Sequence, residues 1–241
     1  MPAISIIIPA YNEEARIGPT LERIDEYMRS SGMDYEMIVV DDGSTDNTRS
    51  VVSDAARRME GLRLVENRVN RGKGFSVKNG FLNSSGRLVL FSDADLSTPI
   101  EELERFLPEI ERRADIVIGS RSLKESNIIK RQPFYRVLMG KTFNKLVRLL
   151  TVSGLVDTQC GFKLFRRDSC EPLFKAQRVE RFAFDVELLF LAQKKGLRIA
   201  ELPVKWINSP QSKVHPIRDS LRMAFDLLRI RMNYLVGRYR I

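Results

Sequence analysis

Three observations predict an α/β fold with a mixed, mostly parallel sheet flanked by helices. Short β-branched runs alternate with longer segments of helical character through the first half of the chain. The intervening segments are long enough for the crossover helices that parallel strands need. Several of the runs also end in clusters of Asp, Asn, Ser, Gly or Pro, which stop a strand and turn the chain. At 241 residues, 43% of them hydrophobic, the chain is long enough to bury a full core.

The elements follow in order. Ile4–Ile8 is an apolar run stopped by Pro9, the pattern of a strand buried on both faces. Asn12 is expected to cap a helix to about Ser30, with Glu13 and Glu14 in its first turn. Glu36–Val40 is a second strand, broken by Asp41-Asp42-Gly43-Ser44, after which Thr45 or Asp46 can cap a helix to about Glu60. Leu62–Val65 is a third strand, Gly74–Asn83 a helix and Arg87–Phe91 a fourth strand. Glu101–Arg113 is helical and Asp115–Ile118 a fifth strand. No repeat, low-complexity tract or long linker interrupts the chain, so one domain is expected over 1–241, with a functional boundary near residue 121.

Composition excludes several classes. The apolar fraction rules out a disordered chain. The longest uncharged stretch, Met1 to Asn12, falls far short of the roughly 18–20 residues of a membrane-spanning helix, and it lacks the basic start of a signal peptide. Cys160 and Cys170 make no disulfide framework and are expected to be reduced thiols. The expected location is therefore cytoplasmic, with peripheral membrane association. The net charge of +9 hides a division: residues 1–120 carry 15 Lys+Arg against 21 Asp+Glu, and residues 121–241 carry 25 against 10. A basic second half points to an anionic partner such as a membrane surface or a phosphorylated substrate.

In parallel sheets ligands bind beyond the carboxyl ends of the strands, which directs attention to three segments. These are Pro9-Ala-Tyr-Asn-Glu13, Asp41–Asp46 and Ser92-Asp-Ala-Asp95. Asp93 and Asp95, flanking Ala94 behind an apolar run, repel one another unless a cation offsets them. A hard divalent ion, Mg²⁺ or Mn²⁺, sharing its other positions with phosphate oxygens and water, suits such a pair.

These segments, with Asn70-Arg-Gly-Lys-Gly74, resemble in order and spacing the nucleotide-sugar half of the inverting glycosyltransferases of family 2, which have the GT-A fold. Downstream, Asp157-Thr-Gln-Cys-Gly-Phe-Lys163, Phe184-Asp-Val-Glu-Leu188, Val204-Lys-Trp206 and Ser212-Lys-Val214 resemble the dolichyl-phosphate β-glucosyltransferases more than the mannosyl enzymes. Where mannosyl relatives carry a Gln two residues past the second metal-binding Asp, this chain has Ser97; where they carry an Arg six residues before the late Lys, it has Ile207.

The resemblance implies site roles. Pro9, Tyr11 and Glu13 would line the nucleotide pocket, and Asp42, with Val40 behind it, would hold the uracil edge. The backbone at Gly72-Lys73-Gly74 would approach the base. Asp93, Ala94 and Asp95 would face the diphosphate, with Asp93 and Asp95 as metal ligands. Arg121 would clamp phosphate, and Lys213 would reach the donor diphosphate. Asp185 sits where other members keep a base, Asp157 is a further site candidate, and Arg131 and Arg136 would hold an acceptor phosphate. A phosphate acceptor is already a nucleophile near pH 7, its second pKa being about 6, so cations matter more than a base.

Two basic amphipathic stretches, Tyr135–Val152 and Ile217–Tyr239, set bulky aliphatics among arginines and lysines and could lie in a headgroup plane. The expected function is transfer of glucose from UDP-glucose to a polyprenyl phosphate with inversion. The alternatives are a polyprenyl-phosphate mannosyltransferase, a family 2 enzyme with another acceptor, and a basic membrane- or nucleic-acid-binding module. Against nucleic acid stand the carboxylates of the first half and basic residues interleaved with aliphatics rather than aromatics.

Overall fold

The computed structural model describes residues 1–130, 134–207 and 216–241. Its strands are β1 (Ile4–Ala10), β2 (Tyr35–Asp41), β3 (Leu62–Glu66), β4 (Leu88–Ser92), β5 (Ile116–Ser120), β6 (Asn127–Lys130), β7 (Phe162–Arg166), β8 (Ile199–Pro203) and β9 (Lys205–Ile207). The helices are α1 (Ile17–Ser31), α2 (Thr48–Ala56), α3 (Lys73–Asn83), α4 (Leu103–Glu111), α5 (Phe134–Leu150), α6 (Arg167–Ala176), α7 (Phe184–Lys194) and α8 (Pro216–Leu235).

Seven strands form one sheet in the order β3-β2-β1-β4-β7-β5-β8, and β6 and β9 pair in a separate ribbon. All neighbours in the large sheet run parallel except β7, which is antiparallel to both β4 and β5. A strand from the second half of the chain thus lies in the middle of the sheet. It opposes Lys163 to Phe91 and Phe162 to Ser92, at the end of the strand that leads to Asp93.

The period of two along each strand sorts side chains between two cores. Ile7, Val40, Phe91, Ile118 and Phe165 face the layer of α3, α5, α6, α7 and α8, whereas Ile6, Ile8, Val39, Leu90 and Leu164 face that of α1, α2 and α4. On the first face Phe81 and Phe174 stack at 3.8 Å between ring centroids, which locks α3 to α6. Glu36, at the start of β2, ties the strands together: it accepts from Ser5 Oγ of β1 (2.7 Å), Arg63 Nη2 of β3 (2.7 Å) and Ser85 N ahead of β4 (2.6 Å).

Three boundaries differ from the sequence expectations. Asn12 is not a helix cap: it has φ 54°, accepts from Thr45 N (2.8 Å) and donates its N–H to Ser44 Oγ (2.9 Å), bracing two loops. α1 therefore starts at Ile17, after a turn closed by the N–H groups of Arg16 and Ile17 on Glu13 O. α2 stops at Ala56 rather than near Glu60, and its cap position is Asn47 rather than Thr45 or Asp46; Asp46, one residue earlier, accepts from the Thr48 N–H (3.0 Å). The late helix ends at Leu235, followed by Gly237 at φ 68°.

Candidate functional site

The carboxyl ends of β1, β2, β4 and β5 lie along one edge of the sheet, and the residues after them meet the start of the antiparallel β7. That geometry gathers Glu13, Asp41, Asp42, Asp93, Asp95, Arg121, Asp157, Lys163 and Asp185 into one neighbourhood through the contacts below.

At the end of β2 the two aspartates have different tasks. Asp42 is buried, and its carboxylate organises the segment before α3: Oδ1 accepts from Asn67 Nδ2 (2.8 Å) and Arg71 N (3.0 Å), and Oδ2 from Gly72 N (2.7 Å). Asp41 is fully buried, accepts from Ser44 N at Oδ2 (3.1 Å), and leaves Oδ1 without a hydrogen-bond partner among the described residues. An orphan buried carboxylate oxygen is costly unless a ligand meets it. The uncommitted acceptor therefore belongs to Asp41, which the sequence reading treated as a turn residue. Val40 is wholly in the core, so its side chain supports this edge from behind. Gly74 has a packing reason of its own: a Cβ there would stand 2.6 Å from Phe184 Cβ and 2.8 Å from Val179 O. Gly72, at φ 112°, starts the helix.

After β1, Pro9 is half-buried and Tyr11 is 36% exposed. Glu13 is buried and paired through both carboxylate oxygens with Arg16. Arg16 Nη1 also lies 3.8 Å from Asp95 Oδ2, so one guanidinium links the β1 loop to the β4 loop. Hydrogen bonding to Glu13 holds Arg16 above its ordinary pKa against the cost of burial.

After β4, Asp93 Oδ1 sits 2.6 Å from Lys73 Nζ, and Asp95 Oδ1 accepts from Ser97 N (3.0 Å). Ala94 is buried and its carbonyl accepts from Thr20 Oγ1 (2.7 Å), anchoring the loop to α1. Asp93 N donates to Gly161 O (3.1 Å), and a Cβ at Gly161, just before β7, would displace the Asp93 carboxylate from its present position. The donor set suits a divalent cation: two hard oxygen ligands one residue apart, each already faced by a protein cation, Lys73 or Arg16. Among the described residues no group of three or more His, Cys, Asp or Glu is placed to hold a metal.

After β5, Arg121 is locked by Asp157. Its Nε and Nη2 donate to the two carboxylate oxygens (2.7 and 2.9 Å) and its N–H to Oδ2 (3.0 Å), while Gln159 N adds a fourth bond (3.1 Å). Burial alone would raise the Asp157 pKa, but Arg121's charge and hydrogen bonds hold it below the usual carboxylate range. Glu201 on β8 takes the N–H groups of Val156 and Asp157 (2.8 and 2.7 Å), fixing that turn. Asp157 is thus saturated and positions Arg121, whose guanidinium lies 5.6 Å from the Trp206 ring centroid.

Lys163 and Asp185 form the buried centre. Lys163, 1% exposed, donates to Cys160 O (2.5 Å) and has its Nζ 2.7 Å from Asp185 Oδ1, an ion pair outside hydrogen-bond alignment. Burial pushes the Asp185 carboxyl up, opposed by the charges of Lys163 and Lys73. Lys73 Nζ and Lys163 Nζ flank Phe91, at 5.1 and 5.6 Å from its ring centroid respectively. The sequence reading gave Lys163 no role; its signal was a cation inside the apolar strand Phe162–Phe165, which must find a carboxylate. Arg16 carried no such signal, because its loop was expected to be helix.

Arg131 and Lys213 lie outside the described residues, as does the side chain of Arg136 on α5. Among the described residues no helix is long and apolar enough to cross a membrane. Both cysteines are free and buried, and burial raises the Cys160 thiol to about 11.

Known proteins resemble this arrangement over nearly its whole length. The pattern of Glycosyl transferase family 2 matches residues 5–174. A dolichyl-phosphate β-glucosyltransferase of Dictyostelium discoideum is 39% identical over 99% of this chain and 76% of its own length. That of Drosophila melanogaster is 42% identical over 99% and 77%. Among solved structures, glucosyl-3-phosphoglycerate synthase from Mycobacterium tuberculosis, in complex with Mn²⁺, UDP and glucosyl-3-phosphoglycerate, superposes with a TM-score of 0.71 at 21% identity, over 99% of this chain and 80% of that one. Mannosyl-3-phosphoglycerate synthase from Rubrobacter xylanophilus gives 0.72 at 21% identity, over 100% and 76%. The antiparallel strand set among parallel ones, the carboxylates at the strand ends and this agreement in sequence place the chain in glycosyl transferase family 2, with the GT-A fold.

Proposed function

We propose that this glycosyltransferase moves glucose from UDP-glucose to the phosphate of a polyprenyl phosphate with inversion, giving a polyprenyl β-glucosyl phosphate. The observation that carries the reading is near-full-length similarity to dolichyl-phosphate β-glucosyltransferases, spanning both the strand-end carboxylates and the Asp157–Lys163 segment.

Residues 1–120 hold the donor. Asp41 Oδ1 is the acceptor offered to the uracil N–H, while Asp42 shapes the 67–72 segment around the base. Pro9 and Tyr11 border the nucleoside, and Glu13 reaches the ribose hydroxyls from its pair with Arg16. Asp93 and Asp95 would hold a divalent cation, Mg²⁺ or Mn²⁺, which when bound would neutralise the diphosphate leaving group. Lys73 and Arg16, which balance those carboxylates here, stand beside the diphosphate position, and Lys213 is the further cation assigned to it.

Residues 121–241 hold the acceptor. An acceptor phosphate oxygen bonds to the anomeric carbon as the bond from that carbon to the UDP oxygen breaks on the opposite face. No proton has to leave a dianion, so the site needs cations rather than a strong base. Arg121, rigidly forked by Asp157, presents its remaining donors to phosphate, and Arg131 and Arg136 complete the clamp. Asp185, held by Lys163, positions the cations around the acceptor.

The outer face of α8 lies against the membrane that carries the acceptor. Leu221, Phe225, Leu228, Met232 and Leu235 recur at helical spacing and are 59, 71, 51, 58 and 69% exposed, opposite the buried row Met223, Leu227 and Ile230. A solvent-facing apolar row this long is what a headgroup interface covers.

The test is transfer of labelled sugar from several nucleotide sugars to a short polyprenyl phosphate and to the matching polyprenol. Transfer from UDP-glucose to the phosphate alone, abolished by EDTA and restored by Mg²⁺ or Mn²⁺, is the expected result. Equal glucosylation of the polyprenol overturns the acceptor assignment and makes Asp185 the general base.

A further inference from the structure

A basic cavity of about 630 Å³ lies between the segment before α3, the α6–α7 connection and α8. Five arginines line it: Arg71 ahead of α3, Arg178 and Arg181 in the connection, and Arg222 and Arg229 on α8. Glu180 and Asp226 are its acids. Arg71 pairs with Glu180 and lies 3.5 Å over the Phe75 ring centroid, and Arg178 Nη2 donates to Arg238 O (2.9 Å). The charges of Arg229, Arg222 and Arg181 remain, and all three act on the single carboxylate of Asp226, which burial pushes up in pKa and they pull down. Three exposed guanidinium groups around one carboxylate leave an excess of positive charge, in a geometry of planar forks that suits a phosphate.

Position on α8 identifies the source of that phosphate. Arg222, Asp226 and Arg229 follow one another at i, i+4 and i+7, and each is one residue after Leu221, Phe225 and Leu228 of the outer apolar row. The cavity therefore flanks the face assigned above to the membrane. We propose that it takes the headgroup phosphate of an anionic lipid whose acyl chains lie along Leu221, Phe225 and Leu228. The cavity adjoins the strand-end site through Arg71, whose N–H is held by Asp42, and its lipid source rests on the membrane assignment of α8.

The test is flotation of the full chain with vesicles of phosphatidylcholine alone and of phosphatidylcholine with phosphatidic acid. Arg181→Gln with Arg229→Gln is compared with Lys145→Gln with Arg148→Gln, exposed cations of α5 outside the cavity. Wild type should prefer phosphatidic-acid vesicles by about tenfold or more, each arginine near a surface being worth about 1 kcal/mol. The cavity pair should lose most of that preference while keeping phosphatidylcholine binding, the α5 pair should lose much less, and Asp226→Asn should strengthen the preference. Equal losses in the two pairs, or no preference in wild type, overturn the site. Glycerol phosphate raising the Tm of wild type but not of the cavity pair, without vesicle preference, overturns the lipid source in favour of a free phosphate. Absence of binding to either vesicle overturns the membrane assignment of α8 itself, a result distinct from lost preference with phosphatidylcholine binding intact.

Discussion

Asp95 shows how much a single carboxylate here is expected to do. One oxygen is held by the Ser97 N–H and the other faces Arg16 at 3.8 Å, so the group is oriented while still reachable by a cation. Asp95→Asn keeps the shape and the Ser97 contact but removes the charge. Its kcat should fall by about 10²–10³, the several kcal/mol expected of a lost metal ligand, with the circular dichroism spectrum unchanged. Wild-type turnover at saturating Mg²⁺ and Mn²⁺ would remove Asp95 from the metal site. Asp157→Asn differs in kind, because it leaves Arg121 half-buried without its counter-charge. Breaking such a pair costs about 3 kcal/mol, at the lower end of the buried range because the Arg121 side chain is 29% exposed. The expected readout is a lower Tm together with a raised KM for the acceptor. The residue types at both positions were legible in the sequence. That Asp157 serves Arg121, and that Asp41 rather than Asp42 keeps a free oxygen, were not, because neighbouring carboxylates look alike until their donors are placed.

Among the elements, β7 and Glu36 carry the main structural consequences. β7 enters between β4 and β5 and delivers Gly161 and Lys163 to the Asp93 end of the sheet, so its register sets where Lys163 stands relative to Asp93. Glu36 joins β1, β2, β3 and the turn before β4. Burial would raise its pKa, but hydrogen bonds from Ser5, Arg63 and Ser85 outweigh burial and lower it to about 2. A folded pKa depressed below the unfolded value of about 4.3 stabilises the fold above the latter, and that contribution is lost as pH falls toward 2. Glu36→Gln should therefore destabilise the protein by on the order of 2–3 kcal/mol at pH 7. Urea denaturation of the two proteins should converge between about pH 4.5 and 2. A gap independent of pH would show that packing, not charge, gives Glu36 its effect. The alternating strands and helices of the first half were readable from periodicity. The turn at Glu13–Arg16 was not, because Asn12 followed by two acids is also what a capped helix looks like.

For the whole molecule the charge division and the amphipathic face of α8 belong together. The acidic strand ends are balanced internally by Lys73, Arg16, Arg121 and Lys163, whereas the arginines of α8 flank an apolar row open to solvent. Phe225→Ser with Leu228→Ser should weaken binding to phosphatidylcholine vesicles by about tenfold or more, each buried side chain contributing about 1.5–3 kcal/mol at most. The loss should persist at high salt, where the arginine contribution is screened. An unchanged partition coefficient would return this face to solvent.

The α/β class, the polar segments that end its strands, the basic second half and the apolar rows of α5 and α8 are all written along the chain. All of these are local: they depend on period, turn chemistry and composition within a few residues. Only the tertiary structure decided that a strand from the second half lies antiparallel at the centre of the sheet. It likewise decided that Lys163 meets Asp185 and Lys73 meets Asp93, and that the apolar row of α8 faces outward. Those outcomes join residues 20 to 78 positions apart. They depend on which neighbour each side chain finds when the strands assemble, and no period or spacing along the chain carries that information.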